Sequence, residues 1–494
     1  MKMMNLKNAF RLLLFSILLV TFSCADPVAD RIKADADRIK NNENVNNWIQ
    51  SNMDEIYYWN TEMPAKRDLT LSPTDFYKSL LYTPEDHFSY IASDYTELQN
   101  LLSGVQKEAG YDFNLFRESD QNQNVVGVIN YIKPNSPASL TKLKRGDIFS
   151  KINGTVLTTD NYQDMLSKLS APHTLGVWGD STIVTVSLDV VEYNENPIFL
   201  DSIYDMGSEK VAYLIYNFFA ADKGDNSYTY LKQLNDIFGK FKDNNVDELI
   251  LDLRYNTGGD ASVATALASM ISNRSSSDLF CINQYNSIVD HEFKNLYGDN
   301  YNKTFFDDNL PIFDKDGNAT GQNIPVNKLP GLSRLYVLTS GNTASASELI
   351  INGLKPYMPV ILVGDVTYGK NMGMWFIYET DPQKQKDNRW GMLPIVLKIL
   401  NSESQSDYTN GFTPDYPVDE YFLHNPDGSI IQYTGLFPLG DVNEYLLAAA
   451  LANISGQVSV LRSAQKSFVL HPLASSIDRT PVRKNMIVPK KLSK

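Results

Sequence analysis

The segment VDELILDLRYNTGGDASVATALASMI, residues 246–271, constrains the fold more than any other stretch of the chain. Residues 249–253 are an apolar run broken only by Asp252, the pattern of a strand buried on both faces of a parallel sheet. Residues 256–259 make a tight turn, and Asp260 stands where a side chain caps the helix that follows. A strand, a glycine turn and a helix in that order predict an α/β sheet with free backbone N–H groups at the strand's C-terminal edge. The rhythm recurs. LYVLT, residues 335–339, runs through the polar turn SGNTAS into SELIINGLK, where Leu349, Ile350, Gly353 and Leu354 keep helical spacing. KVAYLIYNFF and the amphipathic YTYLKQLNDIFGKFKDN lead into the α/β region, and PVILVGD, WFIYET and MLPIVLKIL continue it as β structure.

The remainder of the chain divides by pattern. Residues 24–43 read as a polar tether and 44–109 as a small helical domain. Within the latter, Trp48, Met53, Ile56 and Tyr57 fall near one face, Ser72 caps a helix with Pro73 in its first turn, and TPEDHF offers a second cap-like start. Nothing there has catalytic spacing. Residues 110–192 turn β-rich, with NVVGVINYI and STIVTVSLDVV as strands, Asn153-Gly154 as a hairpin turn and NYQDMLSKL as a short helix. Residues 193–440 carry the α/β pattern, although about 278–330 show little periodicity. DKDGNATG, residues 314–321, misplaces the glycine of a calcium loop and reads as a turn. Residues 441–494 supply a last helical stretch and a basic tail, read as solvated.

With 494 residues the chain suits about three domains, and 43% apolar residues provide a sizeable core. The net charge of −14 and the lack of a long basic stripe argue against a nucleic-acid partner. At the start, Lys2, Lys7 and Arg11 precede an eleven-residue apolar run, residues 12–22, too short to span a membrane and suited to a secretory signal, residues 1–23. The run ends at Ser23 and Cys24 and resembles a bacterial lipoprotein signal. The expectation is an exported, lipid-anchored protein of the bacterial envelope, facing the periplasm or the outside, with Cys24 lipidated and a lipid bilayer as partner. Cys281, the one other cysteine, then folds without a disulfide as a small buried hydrophobe.

The turn SGNTASASE carries the chemistry. A serine between a strand end and a helix N-terminus meets positive potential and free N–H groups, which suits attack on a carbonyl and stabilisation of the oxyanion. Ser345 and Ser347 are both candidates, and either also suits a plain helix cap. A nucleophilic serine needs a base. None of His87, His173, His291, His424 and His471 sits in a glycine-framed loop at a strand end, although His291 and His424 share this half of the chain and stay open. The GxSxG elbow is absent. Lys370, in GDVTYGKNMG just past the strand VILV, is the better candidate, provided burial lowers its pKa by two to four units. Val366, Tyr368, Met372 and Met374 supply apolar surroundings for it.

Three separated blocks, LILDLRYNTGG, TASASE and GDVTYGK, resemble the C-terminal processing peptidases, the tail-specific serine proteases of family S41. Upstream, SPASLTKLKRGDIFSKING, residues 136–154, resembles a PDZ domain, with Leu143 as its core leucine. The resemblance implies a multidomain α/β fold. It joins an S41 core of the ClpP/crotonase-like kind to a PDZ-like β-rich domain and an N-terminal helical region. It also implies a serine endopeptidase working through an acyl-enzyme, with Ser345 as nucleophile, Lys370 as base, and backbone N–H groups of Gly258 or Gly259 and Ala346 for the oxyanion. Ser347 and Glu348 then serve the helix start. No cofactor or metal is implied. The substrate is an extended or C-terminal polypeptide segment presented by the PDZ-like domain. Many members carry a glutamine that orients the lysine where this chain has Met374, leaving Thr367, Tyr368, Asn371 or a carbonyl to replace it. The alternative is an S41-like peptide-binding or scaffold lipoprotein with weak or no catalysis. The S-x-x-K matches SLTK (139–142) and SAQK (463–466) lack the companion motifs of penicillin-binding enzymes.

Overall fold

A computed structural model describes residues 27–119, 122–314, 318–424, 430–433, 435–457, 470–479 and 486–488. The signal segment, Cys24 and the SAQK match lie outside these residues. The chain forms two compact units, one of residues up to 52 with 64–80, the other of residues 53–63 with 81 onward.

The helix Pro27–Ile56 takes in most of the stretch expected as a tether and contributes residues to both units. Its buried stripe is Val45, Ile49, Met53 and Ile56, spaced four, four and three residues apart, and Trp48 lies half-buried off it. Buried Asn46 donates to the carbonyls of Leu69 and Leu71 at 2.8 and 2.9 Å, fixing the loop before the helix Pro73–Leu80. The Ser72 hydroxyl accepts from the Asp75 N–H at 3.2 Å, the expected cap.

The second unit is built on a six-stranded sheet in the order Ile198–Asp205, Lys210–Tyr216, Glu248–Asp252, Leu335–Thr339, Val360–Gly364, Tyr416–Pro417. All neighbours are parallel except the first pair. Leu249, Ile250, Leu251, Tyr336, Val337 and Leu338 are buried, as continuous apolar strands covered on both faces should be. Helices Ala261–Ile271 and Ala346–Leu354 follow two of these strands directly. Helix Tyr445–Ile454 adds Tyr445, Leu446, Leu447 and Ala450 to the core around Tyr213, Ile250, Tyr336 and Val363.

A second six-stranded sheet runs Gly259–Asp260, Met486–Ile487, Met372–Met374, Ile395–Asn401, Leu279–Tyr285, Lys303–Phe305. Cys281 lies in it, buried, its thiol pushed up to about 12 by burial. The region of low periodicity is more ordered than its pattern suggests, with the helix Ser287–Tyr297 and the hairpin of strands Asn309–Phe313 and Ala319–Pro325. Residues 315–317 of the expected turn lie outside the described residues. Met486–Ile487 corrects the solvated-tail expectation at those positions.

The β-rich module has its own core around Phe113, Ile129, Leu143, Phe149, Ile152 and Leu175. Its strands run His471–Ser475, Tyr111–Arg117, Val125–Ile132, Ile148–Ile152, His173–Trp178, Ile183–Leu188. Asn153 and Gly154 turn with φ of 51° and 77°, both left-handed, as a tight hairpin requires. TPEDHF forms no helix. The buried Asp86 instead accepts from the N–H groups of Phe88 and Ser89 at 3.0 and 2.9 Å and from the Tyr57 hydroxyl at 2.7 Å, folding a turn. Strand Tyr90–Ala92 then pairs with Gly391–Leu393, which carries residues 86–89 to the edge of the α/β core. Among the described residues, no helix is long and apolar enough to cross a membrane.

Candidate active site

Ser345 is the cap residue of the helix Ala346–Leu354, with φ 64° and ψ −111°. A positive φ is costly for serine and persists only where the surroundings enforce it. The enforcement is visible. Thr343 donates through its hydroxyl to the Leu253 carbonyl at 2.8 Å, Ala344 through its N–H to the Asn256 carbonyl at 3.1 Å, and the Ser347 hydroxyl to that same carbonyl at 3.1 Å. The Asn256 amide in turn donates to the Tyr216 carbonyl at 2.8 Å. The serine turn is thus stitched to the glycine turn. Ser347 spends its hydroxyl on this structure. The Ser345 Oγ is buried and, among the described residues, has no hydrogen-bond partner.

Glu348, fully buried one helical turn on, organises the other half. Its Oε2 accepts from the N–H groups of Ser345 and Lys370, each at 2.8 Å. Its Oε1 accepts from the Thr367 hydroxyl and the Gly369 N–H, each at 2.6 Å. Burial raises the carboxyl's pKa, opposed by Thr367 and by these N–H groups. The backbone nitrogens of Ser345 and Lys370 therefore lie no farther apart than twice 2.8 Å.

Lys370 is wholly buried. Its Nζ lies 4.6 Å from the centre of the Phe88 ring and donates to Met374 Sδ at 3.4 Å. Burial pushes the ammonium down to about 7, against the carboxylates of Asp86 and Glu348, which pull it up. The groups expected to orient it are engaged elsewhere: the Thr367 hydroxyl on Glu348, the Asn371 amide on the Ser406 carbonyl and hydroxyl at 2.8 and 3.0 Å. Tyr368 meets the Phe88 ring edge-on, 6.1 Å between centroids.

At the glycine turn, Gly258 and Gly259 have φ of 106° and 134°. A side chain on Gly259 would come within 2.2 Å of the Phe219 carbonyl oxygen, so the close approach excludes one. The Gly258 N–H already donates to Asn256 Oδ1 at 2.9 Å. The Ala346 N–H, in the first helical turn, has no acceptor among the described residues.

Behind the turn, Arg254 is fully buried and donates through Nε and Nη2 to Asp252, through Nη1 and Nη2 to Glu444, and through Nη1 to Glu420 at 3.0 Å. Arg145, from the β-rich module, reaches Glu420, Glu444 and the Tyr255 hydroxyl. Glu420 is held below its ordinary pKa: burial would raise it, and the two guanidiniums outweigh that.

The family model of peptidase family S41 matches residues 210–418, and that of the peptidase S41 N-terminal domain matches residues 44–90. The chain belongs to peptidase family S41. Carboxyl-terminal-processing peptidase 2, chloroplastic, of Arabidopsis thaliana is 22% identical over 299 residues, 58% of this chain. The match spans about half of that relative, 49% of its length. A solved structure of a candidate S41 protease from Bacteroides fragilis NCTC 9343 is 26% identical, with a TM-score of 0.61, covering 83% of this chain and 97% of that one. The S41 match takes in the glycine turn, the serine turn and the lysine loop, and the N-terminal match takes in Asp86 and Phe88.

Of the histidines, His173 is bonded to the Tyr111 hydroxyl and the Ala171 carbonyl within the β-rich module, and His291 pairs with Asn295 on an exposed helix face. In SLTK, Ser139 donates to the Ser136 carbonyl and Lys142 is exposed. Sequence reasoning missed Asp86 and Phe88, which stand some 280 residues before Lys370 with no local spacing to mark them. It also missed the reach of Glu348 across to the lysine loop. Its position at the third residue of the helix is the only local signal, and that signal announces a cap.

Proposed function

We propose that this chain is a serine endopeptidase of the C-terminal processing type, acting on exported polypeptides. The observation that carries this is the shared Glu348 oxygen, which clamps the Ser345 and Lys370 backbones side by side around an unpartnered buried hydroxyl. Neutral Lys370 takes the proton from Ser345 Oγ as the oxygen attacks a peptide carbonyl. The N–H groups of Ala346 and Gly259 stabilise the oxyanion, Gly258 being committed to Asn256. The ammonium then protonates the leaving amine, and the lysine later activates the water that releases the acyl group. The β-rich module is read as PDZ-like, holding an extended peptide by strand addition. The test is hydrolysis of an unfolded polypeptide by the wild type, Ser345→Ala, Lys370→Ala and Ser347→Ala. Both Ser345→Ala and Lys370→Ala should fall to background, whereas Ser347→Ala should keep measurable turnover. Equal rates in all four would leave the competing reading, a peptide-binding protein without catalysis, favoured by Met374 in place of the usual glutamine. Anchoring through Cys24 is tested separately, by labelled fatty acid incorporation that Cys24→Ser abolishes.

A further inference from the structure

Two short segments near the C-terminus are held as strands, one on the β-rich module and one beside the glycine turn. His471–Ser475 forms the edge of the β-rich module's sheet, antiparallel to Tyr111–Arg117. Leu473 and Ala474 pack on that module's core, and the Ser476 hydroxyl donates to the buried Asp112 carboxylate at 2.6 Å. The chain then approaches the lysine loop. Asp478 lines a cavity of about 420 Å³ with Ser340, Asn342 and Asp365, and next to burial its charge is what most raises the Tyr368 phenol. Met486 and Ile487 next run parallel to Gly259 and Asp260, Ile487 pairs with Met374, and the Val488 N–H donates to the Met374 carbonyl at 2.9 Å. Val488 is buried, and its seat depends on Gly373, where a side chain would come within 2.9 Å of Val488 Cγ2. The strand position between the glycine turn and the lysine strand is therefore filled, and Ser345 and Lys370 have no exposed surface.

We propose that residues 471–475 and 486–488 are built-in occupants of the substrate cleft. Residues 471–475 fill the peptide-docking edge and residues 486–488 the strand position beside the reacting groups, so that an extended polypeptide must displace the tail to be cleaved. This rests on the peptidase reading above. It adds the partner's chemistry: an unfolded segment lying parallel to Gly259–Asp260, with a small β-branched residue over Gly373.

Two arms test this. In a Ser345→Ala background, a fluorescent peptide of residues 484–494 should bind a chain ending at Asn485 and leave the full-length chain unlabelled. In the active protein, ending the chain at Asn485 should raise polypeptide hydrolysis roughly ten-fold, and likewise phosphonylation of Ser345 by a fluorophosphonate, in which the Oγ bonds to phosphorus and fluoride leaves. The free peptide should reverse the gain at no more than about 0.1 mM, one-tenth of the roughly millimolar concentration a tether provides. Val488→Asp in the full-length chain should act in the same direction and guards against misfolding of the truncated form. Equal peptide binding by both forms, or equal or lower rates on truncation with an unchanged thermal transition, overturns the proposal and leaves the peptidase reading standing. Neither hydrolysis nor phosphonylation of Ser345 in either form removes that reading, and with it the inhibitory role, while the binding arm still reports whether the tail occupies the cleft.

Discussion

The amide groups of Ser345 and Lys370, 25 residues apart in the chain, donate to one oxygen of one buried carboxylate, that of Glu348. Four donors converge on that side chain, so its two oxygens hold the serine turn and the lysine loop in register. Glu348→Gln keeps the shape but turns an amide N–H2 toward one pair of donors. Leaving buried donors unpaired should cost about 1–3 kcal/mol, read as a lower denaturant midpoint at unchanged slope. Acylation of Ser345 should fall with it. A variant as stable and as reactive as wild type would show that the clamp is dispensable.

The pH dependence follows from the lysine. With Lys370 pushed down to about 7, kcat/KM should rise with pH and reach half its plateau near that value. Asp86 pulls this pKa up, so Asp86→Asn should move the rising limb to lower pH. A limb that stays fixed or moves upward counts against the carboxylate's influence on Lys370.

The same burial has a stability signature. The unfolded lysine keeps its proton up to about 10.4, while the folded one releases it near 7. Between those values the unfolded state binds more protons, so wild-type stability should rise with pH over that window. Lys370→Met removes the buried base. It should be the more stable protein at pH 7 and below, by roughly 3–5 kcal/mol from a shift of this size, with the gap closing toward pH 10. Parallel stability curves for the two proteins would contradict the depressed pKa.

Where a glutamine would stand, Met374 meets the lysine through its thioether at 3.4 Å, and the Phe88 ring centre lies 4.6 Å from the same nitrogen. Met374→Gln introduces an amide oxygen that favours the ammonium, so the rising limb should move above pH 7. Met374→Ala should open a cavity at a fully buried position and cost about 2–5 kcal/mol in chemical denaturation.

Legibility in the sequence followed the range of the forces involved. Leu335–Thr339 and the helix after it were readable because burial on both faces and helical spacing leave a local imprint. The family motifs singled out Ser345 and Lys370 as candidates. Asp86 and Phe88 were not readable, because only the pairing of Tyr90–Ala92 with Gly391–Leu393 brings them to the lysine. TPEDHF carried a cap signal, but Asp86 found better donors in its own turn and in Tyr57. Residues 27–43 were polar enough to pass for a leader, yet they continue the helix whose buried stripe begins at Val45. Met486–Ile487 is two residues long in a basic stretch, and a strand that short exists only because its two neighbours are already in place.

The two buried arginines also bear on how the β-rich module can act. Arg145 anchors it to Glu420, Glu444 and Tyr255, and Arg254 holds the same carboxylates from the core side. Swinging the module away would strand those charges in a dry interior, at several kcal/mol per unpaired ion. The module is therefore fixed against the core and not hinged. On the peptidase reading proposed above, a polypeptide would have to reach Ser345 without the module moving aside, which favours an extended strand over a folded protein.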